Sequence, residues 1–306
     1  MKEAMASDLD RILDRRRLKR RLSFWRLAAI ALAAALAAFF LARFAGPMAH
    51  PHIARLAITG VITADSARDQ LLHDIATNTR ARALILRINS PGGTTAGSEA
   101  LFHAIRAVAA KKPVVAVIGT LGASGGYITA LAADYIVARE TSLTGSIGVI
   151  FQSPEFSGLF KKLGVGVNEV KSSPLKGGPS PFAKMDDQTR RVLQGMIDDS
   201  YDWFVGLVAE RRGLDLETTR RLADGRVYTG RQALKAALID ALGGEEVARA
   251  WLADARKVAA DLPVVDMDID ASTRLWRELG AFASGKRLFP ERLALDGLVS
   301  LWQPEP

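Results

Sequence analysis

From Ala54 onward, short apolar runs rich in β-branched residues alternate with longer stretches of helical period. The runs ARLAITGVI, ARALILRIN and KPVVAVIG read as strands, and SARDQLLHDIATN and GSEALFHAIRAVAA between them read as helices. Continuous apolar strands separated by helices predict βαβ units on a largely parallel, buried sheet. Next come a helix headed by Ser124, a strand in YIVARE and an extended segment in SLTGSIGVIFQ. SPEFSGLFKKLG is expected to be helical, with Ser153 as N-cap and Pro154 in the first position. GVNEVK is expected to be a strand before a Gly- and Pro-rich loop, Ser172 to Pro181.

After that loop the period becomes helical. DDQTRRVLQGMIDDSYDWFVGLVAERRG predicts one long amphipathic helix whose apolar face runs through Val192, Met196 and Trp203. LDLETTRRLADG, TGRQALKAALIDALGG and EEVARAWLADARKVAA add three helical pieces separated by glycines. The tail, 259–306, has weak periodicity and gives no clear element. The other end is unlike the rest of the chain. Leu27 to Ala42 is sixteen residues without a charge, and 24–46 reaches the length of a membrane span if Arg26 and Arg43 snorkel.

Charge sharpens that picture. The chain carries a net +8, yet Met1 to Arg26 alone holds nine basic residues against four acidic ones. A basic arm invites a nucleic-acid reading, but the apolar run behind it redirects the arm to the cytoplasmic side of a membrane, with the remainder outside. A cleaved signal peptide is the rival, and Arg43, Phe44 and Pro47 disturb the small-residue pattern that cleavage requires. The organisation is then a basic arm at 1–23, an anchor at 24–46, an α/β domain at 54–258 and the tail at 259–306. The chain has no cysteine, which excludes disulfides and thiolate chemistry.

The candidate chemistry centres on Gly122-Ala123-Ser124-Gly125-Gly126, a G-x-S-x-G between strand and helix. Such a turn can present a nucleophilic serine, although a glycine-flanked serine there also serves as a plain helix cap. The histidines His50, His52, His73 and His103 all precede Ser124, so the α/β-hydrolase order of serine, acid, histidine is absent. Lysine is then the base left to consider. Lys176, in KSSPLKGGPSP, stands in an ordered-looking loop, with Lys171 close behind it as a candidate. NSPGG, Asn89 to Gly93, ends a strand and could supply backbone N–H groups that complement the one at Gly125; a plain βα loop reads the same way. Neither a phosphate-binding glycine motif nor a metal-ligand spacing is present, so no cofactor or metal is expected.

RINSPGG, GASGGYITALAADYIVARETSLTGSIGVI, KSSPLKGGPSPF and GRVYTGRQALKAALIDALGG together resemble the signal peptide peptidase A, or protease IV, family. The resemblance implies a ClpP/crotonase-like α/β fold and a membrane-anchored serine endopeptidase with a Ser/Lys dyad. By the family pattern Ser124 is the nucleophile, Lys176 the general base and Ser146 the hydroxyl that helps hold the lysine. The oxyanion hole falls to the backbone N–H groups of Gly93 and Gly125, with Gly92 as the alternative to Gly93. Remnant signal peptides and other apolar membrane-associated polypeptides are the implied substrates, and a closed homo-oligomeric ring on the outer side of a bacterial-type inner membrane the implied setting. Many relatives carry an acidic residue directly after the lysine, where this chain has Gly177. Two other readings compete: a crotonase-type acyl-CoA enzyme, and a non-catalytic membrane scaffold.

Overall fold

The computed structural model describes residues 21–22, 24–35, 50–267 and 299–301. The chain divides into two units, Met1–His50 and Pro51–Pro306. In the first, residues 24–35 are helical (α1). Among the described residues no helix is long and apolar enough to cross a membrane, and the second half of the expected anchor lies outside them.

The second unit opens with β1 (His52–Ile62), α2 (Ser66–Thr77), β2 (Ala81–Thr94), α3 (Thr95–Ala109), β3 (Val114–Ala123) and α4 (Gly125–Leu131). Then follow β4 (Tyr135–Ala138), β5 (Leu143–Gly145), α5 (Ser157–Lys162), α6 (Asp187–Arg212), α7 (Leu216–Leu222) and β6 (Val227–Thr229). The remainder is α8 (Gly230–Lys235), β7 (Ala241–Leu242), α9 (Glu245–Arg256), β8 (Val264–Met267) and β9 (Val299–Leu301). The helix boundaries follow local chemistry. Asp65 accepts the N–H groups of Ala67 and Arg68 to start α2, Thr94 accepts that of Gly97 to start α3, and Asp186 that of Thr189 to start α6. Gly213, left-handed at φ 63°, ends α6.

One sheet carries the unit, in the order β6-β5-β3-β2-β1-β8. Its pairs are parallel except β5 with β6 and β2 with β9. Strand β3 lies at its centre and divides one edge between two partners, pairing Val115–Ile118 with β4 and Leu121–Ala123 with β5. Alternation sorts the side chains. Ala54, Leu56, Leu84, Leu86, Val114 and Ala116 face the main core under α2, α3 and α4, while Ile53, Ile85, Val115 and Val117 face Ala248 and Leu252 of α9. Burial on both faces is why these strands read as continuous apolar runs.

Four expectations need correction. The helix in 153–164 begins at Ser157 with Phe156 as its N-cap, not at Pro154, because the Glu155 carboxylate takes the Ser157 N–H and the Phe156 N–H is drawn to the Pro181 carbonyl. GVNEVK forms no strand: Val170 is 102% exposed, and no described strand lies beside it. The apolar face of α6 is buried only in its second half, since Val192 and Met196 are each 48% exposed while Phe204 and Val208 are buried. TGRQALKAALIDALGG is not one helix. It breaks at Ala237 (φ 56°), where the Leu238 N–H turns back to the Ala233 carbonyl and the Asp240 carboxylate is claimed by the Ile136 N–H and by Arg212. Within the tail, Val264–Met267 adds to the sheet beside β1, and Val299–Leu301 pairs with the end of β2.

Candidate active site

Strand β3 delivers Ser124 to the head of α4. The residue is 1% exposed and holds φ 55°, ψ −118°, a conformation that costs a non-glycine residue roughly 1–3 kcal/mol. Its side chain makes no capping bond to the first turn of α4, so the plain-cap reading of GASGG does not describe this serine.

The register brings Ser146 alongside. Ala123 pairs with Gly145, so Ser124 and Ser146 leave adjacent strand ends together, and the Ser124 N–H donates to the Gly145 carbonyl at 2.8 Å. Ser146 is buried, holds φ 49° and donates its own N–H to the Arg226 carbonyl.

Gly93 and Gly125 also converge. A Cβ on Gly125 would lie 3.1 Å from the Gly93 nitrogen and 3.2 Å from the Gly92 Cα, and one on Gly93 would start 1.8 Å from the Ile62 carbonyl oxygen. Both positions are therefore glycine because backbone passes where a side chain would begin. The Ser90 hydroxyl secures this turn by donating to the Gly60 carbonyl and accepting the Gly92 N–H. Its role was not evident in the sequence, where NSPGG reads only as a turn. Beneath the site Tyr127 is fully buried and donates to the Leu238 carbonyl at 2.7 Å, and burial pushes its phenol well above its ordinary range.

The two lysines differ. Lys171 is ion-paired with Glu169, whose carboxylate is held below its usual range by that lysine and by the Ser180 hydroxyl. Lys176 lies exposed in a turn closed by its own N–H on the Ser173 carbonyl. Gly177 after it has φ 78°, so any side chain there would be strained in this loop. Thus Ser124, Ser146, Gly93 and Gly125 share one neighbourhood, while Lys176 belongs to the exposed segment that follows β5.

One further element reaches the site. Strand β2 has β1 on one edge and β3 on the other as far as the Ser90–Gly122 pair; beyond it, β1 continues beside Gly92 and Gly93 while β9 takes the edge that β3 leaves. Val299–Leu301 thus lies antiparallel on Gly92–Thr94.

Comparison with known proteins gives the chemistry a class. The chain is 40% identical over 203 residues to a putative protease of Synechocystis sp., a match covering 66% of this chain and 73% of that protein. It is 34% identical over 236 residues to a putative signal peptide peptidase SppA of Enterococcus faecium, covering 72% and 68%. It is also 34% identical over 225 residues to Protease 4 of Salmonella typhi, covering 71% of this chain but 35% of that longer protein. The protein is a serine peptidase. More narrowly, Peptidase family S49 matches residues 106–259, and the chain belongs to that family, which is the family of signal peptide peptidase A and protease IV. The matched residues include Ser124, Gly125, Ser146 and Lys176, while Gly93 lies upstream of them.

Proposed function

We propose that the protein is a membrane-anchored Ser/Lys endopeptidase of ClpP/crotonase-like fold, with Ser124 as nucleophile, Lys176 as general base and Ser146 as the hydroxyl that orients the lysine. The observation that carries this reading is the strained, buried Ser124 set beside the converging Gly93 and Gly125 backbones. In the first step the Ser124 Oγ attacks a peptide carbonyl and its proton passes to the neutral Lys176 amine. The N–H groups of Gly93 and Gly125 receive the negative oxygen that forms. Collapse breaks the C–N bond, the leaving amine takes the proton from Lys176, and water then hydrolyses the acyl-enzyme by the same route.

A lysine in open water is an acid at neutral pH, and desolvation is what turns it into a base. Lys176 is exposed in the single chain, on a segment that also exposes Leu159, Leu163, Val165, Val167 and Val170. So many exposed apolar side chains within twelve residues of chain ask for a cover. A second copy of the chain in a closed ring supplies it, burying the apolar residues and the lysine in one step.

The substrate class we favour is remnant signal peptides and other apolar membrane-associated polypeptides, cut on the outer side of a bacterial-type inner membrane. The pairing of Val299–Leu301 with Gly92–Thr94 supports an extended peptide bound antiparallel on that edge, with small or apolar side chains. The anchor rests on the uncharged run Leu27 to Ala42 behind the basic arm.

The test is to label the full chain in membranes with a fluorophosphonate probe and map the modified residue. Ser124 is expected to carry the label, and Ser124→Ala and Lys176→Ala are each expected to abolish peptide hydrolysis with native mass unchanged. Hydrolysis retained by Lys176→Ala would remove the lysine from the mechanism.

A further inference from the structure

Ser98 stands in the first turn of α3, five residues after Gly93, and is 0% exposed. Its hydroxyl has no hydrogen-bond partner, although leaving a buried hydroxyl unmatched is destabilising. The neighbours of that oxygen are specific. A Cβ built on Gly125 would meet the Ser98 Oγ at 2.3 Å and the Gly93 nitrogen at 3.1 Å, so the hydroxyl and the Gly93 amide flank one point beside the Gly125 Cα. A polar group held dry and unpaired beside the Gly125 backbone, on the side where the Gly93 nitrogen also approaches, fits a site whose partner arrives with the reaction.

We infer that Ser98 is a third donor to the oxyanion, a catalytic residue outside the Ser/Lys pair. The inference rests on the reading of Gly93 and Gly125 as the oxyanion-binding amides. When the Ser124 Oγ adds to the peptide carbonyl, the oxygen gains the charge and the Ser98 O–H turns to it alongside the two N–H groups. No proton is transferred, and the hydroxyl is released when the oxygen returns to a carbonyl. The placement also accounts for glycine at 125 in GASGG: the space a side chain would take belongs to the Ser98 hydroxyl.

The experiment compares wild type, Ser98→Ala and Ser124→Ala in the full-length chain in detergent, using a fluorogenic apolar peptide and a peptide boronate that mimics the tetrahedral intermediate. Ser98→Ala is expected to lower kcat roughly a hundredfold, the lower end of what the loss of one oxyanion donor costs. The boronate should weaken by a similar factor, with KM held within about twofold, since the charge develops only in the transition state. Its melting temperature should not fall, because the alanine removes an unmatched polar group. Unchanged kcat or unchanged boronate affinity overturns the inference, and so does a loss of activity that follows a lowered melting temperature. The underlying reading fails separately, through hydrolysis retained in Ser124→Ala. A dead Ser124→Ala beside a fully active Ser98→Ala refutes the role of Ser98 alone.

Discussion

Gly125→Ala is the smallest change that separates the packing of the oxyanion turn from its chemistry. The added methyl would stand 2.3 Å from the Ser98 Oγ, about an ångström inside ordinary contact, and 3.1 and 3.2 Å from the Gly93 nitrogen and the Gly92 Cα. The Ser98 hydroxyl can leave only by giving up its rotamer inside the packed core, and the backbone has no such freedom, so the last two contacts must open by a few tenths of an ångström. The stability cost is that of overpacking a close-fitted site, about 1–3 kcal/mol. A catalytic cost comes with it, because the displaced atoms carry the amides at 93 and 125; a shift of a few tenths of an ångström should lower turnover by roughly tenfold, less than the hundredfold that a full ångström can cost. Chemical denaturation and peptide turnover measured on the same preparations separate the two. A cycle with Ser98→Ala then isolates the clash: deleting the Oγ should return part of the lost stability to Gly125→Ala, with a coupling of about 0.5 kcal/mol or more, and no activity. Wild-type kcat in Gly125→Ala, or strictly additive stabilities across the cycle, refutes the geometry.

Tyr127→Phe leaves the buried Leu238 carbonyl without its donor and should cost roughly 1–3 kcal/mol in denaturation, with KM unaltered. The Asp266 carboxyl is held below its ordinary range by its hydrogen bond from Arg55, which ties β1 to β8. That contribution is complete above the unfolded carboxylate range and is lost as pH falls through the depressed folded value. Asp266→Asn should therefore flatten the acid limb of stability below about pH 4, by no more than about 1 kcal/mol for so exposed a pair. Val170→Asp should leave circular dichroism unchanged while lowering the native mass and, with it, the turnover, because the residue touches little in its own chain. Deleting residues 299–306 should lower KM for an extended peptide several-fold if β9 and substrate share the edge at Gly92–Thr94; an unaltered KM places the peptide elsewhere.

The sheet was legible because its strands are buried on both faces, which leaves unbroken apolar runs such as ALIL and VVAVI between Gly- and Pro-marked turns. The bounds of α6 were legible because its helical run starts at Asp186, whose carboxylate takes the Thr189 N–H, and ends at Gly213, whose backbone turns left-handed. Ser98 was not, since its meaning lies in the distance to a glycine twenty-seven residues away and no local pattern carries that. Neither was Ser90, whose bond to Gly60 spans two strands.

The segment between β5 and the middle of α6 was misread for a different reason. Hydrophobic period states that a face needs a cover, and it is silent on whether the same chain provides one. Val192 and Met196 keep the period of α6 while remaining exposed, and GVNEVK keeps the composition of a strand with no described strand beside it. The same segment carries Lys176, exposed, whereas Ser124 is buried in the body. If the apolar residues and the lysine are covered by one partner surface, assembly and activation of the base are a single event. Val170→Asp and Met196→Asp should then reduce turnover in proportion to the assembled fraction, and raising the protein concentration should restore both together. Dispersed Val170→Asp chains that hydrolyse peptide at the wild-type rate would uncouple the base from the assembly.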